Sequence, residues 1–196
     1  MERISANQRV MVDTIWPMNG LLREVVLILT GSLLIAAAAQ VKIPLPFSPV
    51  PITGQTFAVL LLAALYGSKR GPVTVITYLT LGVAGMPIFA GAVTGISPLI
   101  GPTGGYLAGF LAAAYLVGLL SERGWDRKPW SVAVSMVIGN AVIYALGVLW
   151  LAYYVGWGKV LATGVLPFIP GDIIKIGLAT MLLPAGWKLI RGWERR

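Results

Sequence analysis

Asp172 and Lys175 are the two charges within an otherwise apolar stretch, IPGDIIKIGLATMLLPAG. Spaced i, i+3, they share one face of a helix and can pair. An ionised carboxylate accepts N–H donors and an ammonium supplies them, so the couple suits recognition of a small polar group. Ionisable residues inside an apolar span face a cavity and serve function as a rule. A second reading stays open from the residues alone. Asp172 follows Pro170 and Gly171 and suits a helix N-cap, while Lys175 could snorkel outward. A cap, however, requires no lysine three residues further in, and a cation near a helix N-terminus opposes the helix dipole.

Three further groups of residues could line a site with that couple, and a fourth carries a different signal. The run GPTGGY places Thr103, Gly104 and Tyr106 where a helix begins. Glycine-rich backbone there can form an anion-binding nest, and the positive helix end favours a carboxylate. Gly101, Gly105 and Gly109 equally make a small-xxx-small stripe for helix packing. Asn140, Tyr144 and Gly147 fall on one helix face, as floor and wall of a pocket or as interhelical hydrogen bonds. Gln55, with Thr53, lies where a proline-rich connection meets the next helix and is open to the same two readings. Ser32 and Ala36, spaced by four within SLLIAAAAQ, offer a smooth surface either for internal packing or for a partner in the membrane.

The elements that must position these residues are apolar. Of 196 residues, 57% are hydrophobic and only 11% charged, and the mean hydropathy is +0.83. So short a chain cannot cover that much apolar surface with polar residues, so lipid must be its solvent. Apolar stretches fall at 24–41, 54–67, 72–90, 105–121, 130–154 and 172–190. At about 1.5 Å per residue the last is about 28 Å long, close to the hydrocarbon thickness of about 30 Å. The expectation is an all-α integral membrane protein, one domain over 1–196. A bundle of six transmembrane helices spans 24–190, behind a cytoplasmic segment at 1–22. Met11, Ile15 and Met18 give that segment a weak apolar edge, and it lacks the apolar core of a cleavable signal peptide.

Twelve of the fifteen basic residues fall on one side of such a bundle: Arg3, Arg9, Arg23, Lys69, Arg70, Arg123, Arg127, Lys128, Lys188, Arg191, Arg195 and Arg196. Lys42 and Lys159 fall on the other side, and Lys175 inside a span. This alternation fits an even number of spans with both termini cytoplasmic. It also accounts for the net charge of +8 without nucleic acid. Trp16, Trp125, Trp130, Trp187 and Trp193 are expected near the inner interface, and Trp150 and Trp157 near the outer one.

The outer connections, VKIPLPFSPVPIT, FAGAVTGISPLIGPTGGY and the run to LPFIPGD, are too apolar for solvated loops. Phe47, Val50, Ile52, Ile96, Leu99, Ile100, Phe168 and Ile169 are expected to fold inward over a pocket, since irregular backbone at membrane depth must be buried or line a cavity. The chain has no cysteine and no histidine, which removes thiol and imidazole chemistry and the two commonest zinc ligands. It has no GxxxxGK[ST] phosphate loop, no G-x-S-x-G element and no carboxylate cluster, so no catalytic residue, metal site or cofactor is expected.

The series PLPFSPVPITGQT, YLTLGVAGMPIFAG, GPTGGYLAGF and LPFIPGDIIK resembles the BioY family, the biotin-specific S components of energy-coupling-factor (ECF) transporters. The resemblance runs from about residue 24 to 190. It implies a six-helix S-component fold in a prokaryotic plasma membrane and high-affinity biotin binding near the outer face. The implied partners are a transmembrane coupling subunit and two ATPase subunits, the former met partly through small residues of the first helix, here Ser32 and Ala36. Biotin would present its ureido ring to Asp172 and Lys175 and its carboxylate tail to Thr103, Gly104 and Tyr106. A stand-alone carrier or channel for a small organic anion is the alternative.

Overall fold

The computed structural model describes residues 10–17 and 20–194. Arg3, Arg9, Met18, Arg195 and Arg196 lie outside the described residues, as does the Trp193 side chain. A short helix α1 (Met11–Ile15) precedes α2 (Leu21–Gln40), a hairpin of β1 (Lys42–Leu45) and β2 (Ser48–Thr53), and α3 (Gln55–Val83). Then come α4 (Ser97–Ile100), α5 (Gly104–Glu122), α6 (Pro129–Val155), α7 (Trp157–Gly164) and α8 (Ile169–Glu194). Among the described residues five helices, α2, α3, α5, α6 and α8, are long and apolar enough to cross a membrane. Their outward faces carry large apolar side chains, including Leu33, Ile76, Leu149, Ile174, Met181 and Leu189. Such a surface suits lipid rather than water.

The second and third apolar stretches form one helical run with a break at Gly67, whose φ of 85° and ψ of −179° leave the helix. A break exposes carbonyls on one side and N–H groups on the other, and α5 satisfies both. Ser121 donates its hydroxyl to the Ala64 carbonyl. Glu122 Oε1 accepts from Ser68 N and Ser68 Oγ, each at 2.8 Å. A carboxylate at the new helix N-terminus also complements the dipole there. Gly118 permits this approach: a Cβ on it would lie 2.4 Å from the Gly67 carbonyl carbon and 2.5 Å from Ser68 N.

Charged side chains gather at this end of the bundle. Arg23, though 4% exposed, pairs with Asp13 at 2.9 Å and Glu24 at 3.1 Å; Arg70 pairs with Asp13 at 2.9 Å and Glu24 at 2.6 Å. This cluster ties α1 to α2 and α3. Trp187, expected at an interface, is instead buried and donates to Asp126 at 2.6 Å, because the indole N–H finds an acceptor inside. Of the apolar edge at 1–22, Met11 is buried, whereas Ile15 is exposed.

Ser32 and Ala36 face inward, with Ser32 donating to the Thr74 carbonyl at 2.9 Å. In the single chain Ser32 is therefore bonded to α3 and Ala36 is part of the core. The proline-rich connection after α2 is a hairpin rather than an irregular loop, with Lys42 opposite Thr53 and Ile43 opposite Ile52. Its prolines are tolerated because each strand has only one neighbour, so positions on the free edge need no N–H.

Candidate ligand-binding site

At the end opposite the charged cluster lies a cavity of about 290 Å³, near the lower limit of the roughly 300–1,000 Å³ usual for small-molecule sites. Its wall is assembled from the hairpin, the start of α3, the connection from Phe89 to Thr103, the first turns of α5, Ile143 and Tyr144 of α6, Phe168, and the start of α8. The hairpin is held down by Ser48, which donates to the Thr163 carbonyl at 2.7 Å. The connection after α3 is fixed by Gln40 at the end of α2. Its amide donates to the Ile88 and Phe89 carbonyls and accepts from Ala92 N.

Asp172 and Lys175 lie in the first turns of α8 and turn to the cavity, while Ile173 and Ile174 between them point out. Lys175 Nζ lies 3.2 Å from Asp172 Oδ1, with side chains 18% and 7% exposed. Lys175 also donates to Thr56 Oγ1 at 2.8 Å. Tyr144 donates its hydroxyl to Asp172 Oδ2. Asp172 is thus no N-cap: α8 begins at Ile169, and the Asp172 N–H is bound to the Phe168 carbonyl at 2.9 Å. A carboxylate has about four acceptor positions. Two are filled, so it can take further N–H donors from a guest, and the lysine keeps one N–H for an acceptor.

Around this couple the walls are aromatic and aliphatic. Phe168 stands 6.4 Å from Tyr144 and 6.5 Å from Tyr106, ring centre to ring centre. Phe89 is 2% exposed and meets Tyr78 edge-on at 5.5 Å. Gln55 reaches the wall but spends its amide internally, donating to Tyr78 Oη at 2.6 Å and accepting from Thr53 at 3.2 Å.

Of the residues singled out from sequence, Asp172, Lys175, Thr103, Tyr106, Tyr144 and Gln55 meet at this cavity; Gly104 and Asn140 do not. Gly104 is packed shut, since a Cβ there would lie 2.0 Å from the Leu99 carbonyl oxygen. Asn140 lies deeper, on a pinhole space of about 10 Å³ shared with Thr56 and Lys175. The expected anion nest is absent as well: Gly101 is extended and Thr103 right-handed helical, without the left-handed alternation a nest needs. The three proposed tail donors are also occupied. Thr103 donates to the Pro98 carbonyl at 2.8 Å, Tyr106 to the Gly164 carbonyl at 2.8 Å, and Gly104 N to the Gly101 carbonyl at 3.0 Å. Of the apolar loop residues, Val50 and Phe168 are buried, but Phe47, Ile96, Ile100 and Ile169 are exposed. Sequence reasoning passed over Lys42, Thr56 and Phe89, which line the wall.

Residues 7–192 match the model of the BioY family. The chain is 43% identical to the biotin transporter BioY of Thermotoga maritima over 150 residues, 76% of this chain and 86% of that one. It is 38% identical over 160 residues to the probable biotin transporter BioY of Pyrococcus horikoshii, covering 82% and 93% of the two chains. Among solved structures it resembles the S-component for biotin from an ECF-type ABC transporter, with a TM-score of 0.73 and 25% identity over 87% of this chain and 95% of that one.

Proposed function

The chain belongs to the BioY family, and we propose that it is the biotin-binding membrane subunit of an uptake system, a transporter component rather than an enzyme. The observation that carries this is the enclosed Asp172–Lys175 couple facing a cavity with aromatic walls. Biotin pairs a ureido group, with two N–H donors and one carbonyl, with an apolar thioether ring. Asp172 has acceptor positions left for the N–H groups, and Lys175 has a donor left for the carbonyl. The walls formed by Phe168, Tyr144 and Phe89 suit the thioether ring and the aliphatic chain.

Counting the two halves of α3 separately, on either side of the Gly67 break, gives six membrane crossings in one domain. The basic residues of 69–70, 123–128 and 188–191 then lie on the cytoplasmic side with both termini, and the cavity opens outward. In a prokaryotic plasma membrane the partners are a transmembrane coupling subunit and two ATPases, whose hydrolysis of ATP drives inward release. The chain's own contribution is a difference in biotin affinity between outward and inward states.

Mass spectrometry of small molecules released from the purified chain tests the reading. Biotin at near-stoichiometric amounts is expected. Recovery of a different vitamin would overturn the substrate assignment.

A further inference from the structure

We infer that Lys42, at the mouth of the cavity, is the receptor for the ligand's carboxylate and sets its preference for an anionic tail. The inference rests on the biotin reading and adds the polarity of binding to it. Two cations line the cavity, Lys42 and Lys175. Lys175 is committed to Asp172 and Thr56. Among the described residues Lys42 joins no ion pair. It is exposed at the start of β1, with its side chain laid across Gly91, where a Cβ would lie 2.8 Å from Nζ and 3.4 Å from Cδ. The left-handed backbone at Gly91 and Ala92, with φ of 80° and 59°, bends the connection around that side chain.

Charge makes the same assignment. Asp172 and Lys175 cancel, so the cavity carries the single positive charge of Lys42, and a monocarboxylate neutralises it. The hydroxyl and amide donors near Thr103, Gly104 and Tyr106 already donate to backbone carbonyls, and among the described residues lining the cavity Lys42 is the cation without an ion-pair partner. A ligand held ring-first by Asp172 therefore extends its carboxylate toward the hairpin. Lys42 is exposed to water, so its contribution is that of a screened charge-assisted bond rather than a buried one.

The test compares biotin with biotinamide, which keeps the rings and lacks the anionic tail, on the purified full-length chain. The wild type should bind biotin about three- to tenfold more tightly than the amide. Lys42→Met should erase that difference by weakening biotin alone, and Lys42→Arg should restore most of it. Unchanged amide binding in Lys42→Met doubles as evidence that the variant folds. Equal loss for both molecules, or no loss for biotin, would overturn the assignment. Failure of the wild type to bind either molecule would instead sink the biotin reading beneath it.

Discussion

Replacing Asp172 with asparagine should weaken biotin binding ten- to a hundredfold while leaving the protein folded. The side chain accepts from Tyr144 and from Lys175 at 3.2 Å within a cavity that is largely apolar. An N–H donated to a charged acceptor there contributes about 1.5–3 kcal/mol, and about 1.4 kcal/mol is tenfold in affinity. Asparagine keeps the shape but swaps one acceptor oxygen for a donor amide, which meets the guest's N–H head-on. It also leaves Lys175 without its anion, although Thr56 at 2.8 Å still accepts from it. Isothermal titration with biotin reads the loss directly. Wild-type affinity in the variant would remove Asp172 from the site.

The second large effect is structural. Gly118→Ala should destabilise the whole bundle, because the added methyl would meet backbone rather than a movable side chain: 2.4 Å to the Gly67 carbonyl carbon and 2.6 Å to its oxygen. Overpacking of this kind costs about 1–3 kcal/mol. Pushing α5 away also stretches the two bonds that seal the break in α3, Ser121 to Ala64 and Glu122 to Ser68. One of these is charge-assisted, so about 1.5–3 kcal/mol more is at stake. A clear fall in detergent melting temperature is expected, whereas Gly158→Ala, with nothing within 4 Å of its added methyl, should melt like the wild type. Equal melting of Gly118→Ala and wild type would refute the close crossing of α5 over the Gly67 break.

The long helices are readable because apolar runs end where charge begins at one end of the bundle and at glycine or proline at the other. The stretches at 105–121 and 130–154 correspond to Gly104–Glu122 and Pro129–Val155 within a residue. The stretch at 72–90 overshoots: α3 ends at Val83, and Ile88 and Phe89 are apolar because they pack, not because they are helical. Gly85 with φ of 106° takes the chain out of the helix just beyond its end. The hairpin was hidden by Pro44, Pro49 and Pro51, which argue against strands unless the sheet has free edges. The Trp157–Gly164 helix was too short to stand out from a connection.

At the site, Asp172 and Lys175 were legible because a charge in an apolar span demands a reason. Lys42 was not, because a lysine beside a proline-rich loop looks like any solvated charge until the hairpin brings it over Gly91. The glycines of GPTGGY could have meant either a nest or close packing, and spacing alone cannot separate them. The carbonyl of Leu99 against Gly104 makes it packing. Nor does sequence reveal that Thr103 and Tyr106 have already given their protons to carbonyls.

What the vitamin-capture account needs above all is that the α8 couple grips the polar ring. A crystal structure of the biotin-loaded chain measures this directly. A ureido nitrogen should stand within about 3.2 Å of an Asp172 carboxylate oxygen, with the tail running toward Lys42. Biotin lying the other way round, or Asp172 still bound only to Tyr144 and Lys175 with the ligand seated elsewhere, would contradict it.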